Sequence, residues 1–195
     1  FYYCINNIFD SFGLNIFLIQ VKVFSLSSIY MINLLDFFID MNAYVIIRID
    51  ENFPKFTIGK DDIDILCLNI TDTCDHIINI IKSKYMNLNF RKFHIDNKIH
   101  IDLLTADNKF IIKFDICDDI RKMYPCFDID INLTKEVISN NVTNKFKCNI
   151  PKLNHELMLR QLEYDMFISK RPDKIKHLNY INNFPNIMFK KFKKK

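Results

Sequence analysis

The chain has 195 residues, 49% of them hydrophobic, enough to bury one sizeable core as a single domain with an extra terminal segment. Its formal charge of +4 is mild, and much of it sits in Lys190 to Lys195, so charge alone does not point to nucleic acid. Six cysteines (Cys4, Cys67, Cys74, Cys117, Cys126 and Cys148) form no CxxC and no Cys/His cluster with zinc-ligand spacing, which argues for reduced, structural thiols and a cytoplasmic location.

Residues 14–35 carry one charge, Lys22, and invite a membrane reading. Gln20, Lys22 and several serines interrupt the run, so 1–28 reads instead as a poorly specified N-terminal extension. Met31 is the first methionine and a candidate start. Residues 29–41 read as an amphipathic helix with Ile32, Leu35 and Ile39 on one face. Tyr44–Ile49 is a β-branched strand, 50–60 a loop with Pro54 and Gly59, and Ile63–Leu68 a second strand. Thr71 or Thr73 can cap a helix reaching about Met86, with Ile77, Ile78 and Ile81 inside. Asn89–Ile95 alternates as a strand. Lys98–Thr105 and Lys109–Cys117 form a hairpin around Ala106-Asp107-Asn108. The stretch 118–150 is less regular, with Phe127–Leu133 strand-like. Beyond Pro151 the pattern turns helical, over 153–168 and again over Asp173–Ile181. Strands first and helices last predict an α+β fold: a mixed sheet flanked by helices, with a core over 29–150, a C-terminal helical segment over 151–189 and a basic tail over 190–195. That tail reads as a solvated end.

The sharpest chemical feature is Lys60-Asp61-Asp62-Ile63-Asp64. Side chains alternate along a strand, so Asp62 and Asp64 share one face while Ile63 and Ile65 enter a core. Two carboxylates side by side repel unless a cation lies between them, and a hard divalent ion suits such a pair. Asp-x-Asp pairs also occur at loop ends and helix caps. On the predicted hairpin, His100 and Asp102 share a face, as do Lys113 and Asp115. Acids embedded in apolar strands need a partner, which a metal or Lys113 can supply.

The order of helix, strand, loop and Lys-Asp-Ile-Asp strand, with a later acid on another strand, resembles the nucleotidyltransferase superfold, the group of DNA polymerase beta and the aminoglycoside nucleotidyltransferases. More narrowly, Tyr44-Val45-Ile46-Ile47-Arg48, Lys60-Asp61-Asp62-Ile63-Asp64, His100-Ile101-Asp102, Lys113-Phe114-Asp115 and Lys174-Ile175-Lys176-His177-Leu178 are similar to nucleotidyltransferase-like proteins of viral and bacterial glycan gene clusters. The resemblance covers roughly 29–181 and implies a transferase. Mg2+ would be held by Asp62 and Asp64, and Asp102 or Asp115 would serve as third acid, on the metal or on the acceptor hydroxyl. An NTP and a small-molecule or glycan-type acceptor are the implied partners; nucleic acid and membrane are not. Arg48, Lys60, Lys113, Lys174 and His177 are the implied nucleotide or substrate contacts. Lys174 and His177 are three residues apart, and a solvated helix face with a packed histidine explains them equally simply. One departure matters: the superfold places a Gly-Ser pair at the end of its first strand, and here that stretch reads Arg48-Ile49-Asp50-Glu51-Asn52. A degenerate fold that binds a ligand or partner without turnover is the alternative.

Overall fold

A computed structural model describes residues 21–25, 28–49, 53–95 and 97–195, with side chains from Ile32 onward. Most of the expected N-terminal extension lies outside these residues. Strands β1 (Val21–Ser25) and β2 (Ser28–Ile32) pair as a hairpin. The helix expected over 29–41 is therefore a strand followed by one 3-10 turn at Leu34–Phe37. Asn33 redirects the chain there. Its side chain accepts from the Leu35 N–H at 3.2 Å, its N–H donates to the Tyr85 hydroxyl at 3.0 Å, and positive φ at Asp40 and Ala43 ends any helical continuation.

The centre is a five-stranded sheet ordered β3-β4-β7-β6-β5. Its strands are β3 (Tyr44–Ile47), β4 (Asp62–Cys67), β5 (Asn89–Ile95), β6 (Lys98–Leu104) and β7 (Phe110–Cys117). All neighbours run antiparallel except β4 and β7, which makes the sheet mixed. The long parallel connection contains α1 (Ile70–Lys84). Asn69 caps this helix in place of the expected threonines, accepting from the N–H groups of Thr71 and Asp72.

Ile63, Ile65, Ile99, Ile101, Leu103, Phe114 and Ile116 leave the sheet on one face and meet Cys74, Ile77 and Ile81 of α1 and Phe37 of the 3-10 turn. Burying each such large side chain contributes roughly 1.5–3 kcal/mol, so this face carries much of the core. The opposite face is apolar at one end only, where Val45, Ile47, Leu66 and Cys117 pack under α2 (Ile120–Met123), α3 (Leu133–Ser139) and α4 (Leu153–Phe167). Strands β8 (Val142–Thr143) and β9 (Asn149–Ile150) form a small hairpin beside β3. A 3-10 turn at Pro172–Lys174 leads into α5 (Ile175–Asn182).

Phe127–Leu133 is not a strand. Phe127 makes a single bridge to Lys194, and Leu133 opens α3 after Asp130 accepts from the Asn132 N–H at 2.7 Å. The basic tail is docked through its main chain and through Phe189 and Phe192 on the second core, while its lysines stay exposed. Cys67, Cys74, Cys117, Cys126 and Cys148 are free thiols, and all but Cys126 are buried. No helix among the described residues is long and apolar enough to cross a membrane.

Candidate functional site

The polar end of the second sheet face is laid out in two cross-strand rows. Arg91, Asp102, Lys113 and Asp62 lie opposite one another across β5, β6, β7 and β4. Phe93, His100, Asp115 and Asp64 form the next row, and Ile47 of β3 extends it. The parity expected for Asp62 with Asp64, His100 with Asp102, and Lys113 with Asp115 holds. Asp115 stands directly opposite Asp64, while Asp102 lies two strands from β4 and pairs with Arg91 at 3.1 Å.

Each of the central carboxylates meets a cation of the chain itself. The Lys113 ammonium lies 3.2 Å from Asp115 Oδ1 and 3.6 Å from Asp62 Oδ2, bridging the two strands. Burial opposes its charge, and Asp115, Asp62 and Asp64 outweigh that, raising its pKa. Arg48 reaches Asp64 Oδ1 with Nη2 at 2.7 Å. Its Nη1 donates to Glu163 Oε2 and to the Tyr124 hydroxyl, both at 2.5 Å. Burial works against this guanidinium too, but Asp64, Tyr124 and Glu163 hold its pKa well above the ordinary value. For Asp64 burial pushes upward, yet Arg48 and then Lys98 leave the carboxyl below its usual range. Asp115 goes the other way. Burial and the facing Asp64 raise it, and Lys113 and His100 do not offset them. His100 Nδ1 is 2.9 Å from Asp115 Oδ1, in ion-pair range without hydrogen-bond geometry, and its ring stacks on Phe93. Burial lowers the His100 pKa against the pull of Asp115.

A second layer comes from α4, which is buried nearly all round and presents Glu156, Arg160 and Glu163 at helical spacing. Glu163 Oε1 pairs with Lys174 at 2.5 Å. Glu156 accepts from the Arg48 backbone N–H at 3.1 Å and from Arg160 Nε at 2.6 Å. Arg160 also donates to the Ile49 carbonyl at 2.9 Å and lies over the Tyr180 ring. These contacts span more than a hundred residues of sequence and join the end of β3 to the C-terminal helices. The sequence groups Glu163 with the 170–177 stretch, but it does not mark Glu156, Arg160 and Tyr124 as site residues. A signal for Glu156, Arg160 and Glu163 is their spacing at i, i+4 and i+7, which puts three charged residues on one helix face.

Of the expected contact residues, Arg48, Lys113, Lys174 and His177 converge here. Lys60 stays exposed in the loop before β4 and has no ion pair among the described residues. Lys174 and His177 are not a solvated face, because both are buried against α4.

Arginine can only donate, so Arg160 Nη1, 3.4 Å from His177 Nδ1, makes that nitrogen the acceptor and puts the ring proton on Nε2. Burial first, then Arg48, Arg160 and Lys174, lower the His177 pKa from 6.5 to about 3, with Glu163 opposing. The unfolded chain therefore takes up a proton below pH 6.5 that the folded chain refuses until about pH 3, and stability falls as pH drops through that window. His177→Gln is expected to flatten the thermal midpoint between pH 6.5 and about 4.5, above the carboxylate range. The lowered His100 has the same sign and leaves part of the slope. A slope unchanged by the substitution would show that His177 does not titrate as a buried neutral base.

The carboxylates have the oxygen chemistry that Mg2+ takes, but the arrangement does not fit a divalent ion. Lys113 fills the space between Asp62 and Asp115, and Arg48 holds Asp64. Among the described residues no group of three His, Cys, Asp or Glu side chains is disposed to hold a metal. Fold and site together define a mixed α+β protein with a charge-compensated carboxylate cluster at one end of its sheet. Comparisons with protein-family models, with curated proteins and with solved structures find no match to this chain.

Proposed function

We propose that this protein is a binding module built on a nucleotidyltransferase-type fold, holding a nucleotide or glycan-type ligand without turnover. The observation that carries this reading is the replacement of metal charge by side-chain charge, with Lys113 between Asp62 and Asp115 and Arg48 on Asp64. The end of β3 supports it. Arg48 has φ +57°, a conformation that glycine adopts readily, so the backbone turn suits a Gly-Ser pair while the residue is arginine. Its N–H, which would face a phosphate in such a pair, donates instead to Glu156. The cation positions beside the carboxylates are thus taken by the protein's own groups.

A second reading, Mg2+-dependent nucleotidyl transfer to a small or sugar-linked acceptor, draws on the direct register of Asp64 with Asp115 and on the Asp62 side chain being 56% exposed. Calorimetric titration of the wild-type protein with each NTP, with and without Mg2+, separates the two. The binding module predicts nucleotide affinity indifferent to Mg2+. Metal-dependent NTP binding that Asp62→Ala abolishes would sink it in favour of transfer.

A further inference from the structure

The docked tail presents a surface that the carboxylate cluster does not use. Its main chain runs against the segment after α2. Asp128 N–H donates to the Lys193 carbonyl at 3.1 Å, Lys195 N–H donates to the Cys126 carbonyl at 2.8 Å, and Lys194 bridges to Phe127. Phe189 and Phe192 face inward onto the second core. Lys194 spends its ammonium on the Asp165 carbonyl at 2.6 Å. Lys190, Lys191, Lys193 and Lys195 are exposed, and none of them forms an ion pair among the described residues. Asp128 lies beside this segment and forms no ion pair with a tail lysine among the described residues. Just before Phe189 and the lysines stand two apolar side chains, Met188 at 93% exposure and Ile187 at 39%.

We propose that this strip docks the protein on an anionic lipid surface. Fixed lysines without carboxylate partners complement a negatively charged leaflet, and adjacent exposed aliphatic groups can enter its headgroup boundary. Such peripheral contact needs no spanning helix. It departs from the expectation that a membrane is no partner. Single-stranded RNA is the other polyanion that a basic strip attracts, but RNA binding gains much from bases stacked on free aromatic faces. Here the tail's two rings are partly buried against the core with Lys190 over the Phe192 ring and Lys191 over the Phe189 ring, and the most exposed apolar group is a thioether chain.

The test is cosedimentation of the full chain with phosphatidylcholine vesicles, with and without phosphatidylserine, set against binding to a single-stranded RNA. Binding that requires phosphatidylserine and weakens as salt is added is expected. Lys191→Gln and Lys193→Gln should each reduce it about fivefold, and Met188→Ser should reduce it too, with the circular dichroism spectrum unchanged. Absence of phosphatidylserine-dependent binding overturns the proposal. So does RNA binding without vesicle binding. Indifference to Met188→Ser also overturns it, since only generic charge attraction would then remain.

Discussion

Arg48→Met is expected to destabilise the protein by about 3–5 kcal/mol, the range for removing one partner of a buried ion pair. The Arg48 side chain is 7% exposed and is the only ion-pair partner of Asp64 among the described residues. Glu163 keeps Lys174 when Arg48 is lost, but Asp64 loses its one direct ion pair among the described residues and keeps only the more distant charges of Lys98 and Lys174. Methionine preserves most of the stem's packing and inherits the same left-handed backbone, so the comparison isolates the charge. Denaturant unfolding monitored by circular dichroism measures the loss. The double variant Arg48→Met with Asp64→Asn should recover a large part of it, because no uncompensated charge remains. A loss under about 1 kcal/mol would place the pair with exposed salt bridges and remove the structural role assigned to Asp64.

Lys113→Ala is expected to convert the acid cluster into a divalent-cation site. With the ammonium gone, Asp62, Asp64 and Asp115 would share one sheet face with Arg48 and His100 in direct contact and Lys98 further off. Burial and the facing Asp64 already raise the pKa of Asp115. A Mg2+ or Mn2+ ion would relieve the carboxylates' repulsion through hard oxygen ligands. The variant should melt at a lower temperature than wild type without metal and regain stability with it. At free metal a hundredfold above Kd the gain is about 2.7 kcal/mol, a shift of several degrees, and wild type should show none of it. Equal stabilisation of both proteins would mean that Lys113 is not the resident cation.

Period-two alternation makes the facing of the acids legible in the sequence itself. Asp62 with Asp64, and Lys113 with Asp115, follow from strand parity alone. Which strands become neighbours is a different kind of information. Nothing near Asp64 specifies that β7, some fifty positions later, lies parallel to β4, because the pairing is stabilised by the packing of α1 across Ile65, Phe114 and Ile116. The role of Arg48 is hidden for the same reason: Glu156 and Glu163 reach it only once α4 is seated. The segment 29–41 departs from its pattern on local grounds. Its apolar spacing suits a helix, but Asn33 and the positive φ values at Asp40 and Ala43 break the run. In the tail the lysines dominate the composition, which suggests a solvated end, while Phe189 and Phe192 determine where it sits.

The row Arg91, Asp102, Lys113 and Asp62 alternates in sign across four strands, and this has a consequence for how the sheet assembles. A slip of two residues between β6 and β7 keeps every side chain on its proper face, so hydrophobic patterning alone does not forbid it. Such a slip brings Asp102 opposite Asp115, or His100 opposite Lys113, and sets like charges or unmatched groups against each other. The alternation therefore works as a proofreading key for strand alignment. Its reach ends at β4, where the native register itself sets Asp64 opposite Asp115, so that alignment of this long-range pair falls to the packing of Ile65, Phe114 and Ile116 against α1.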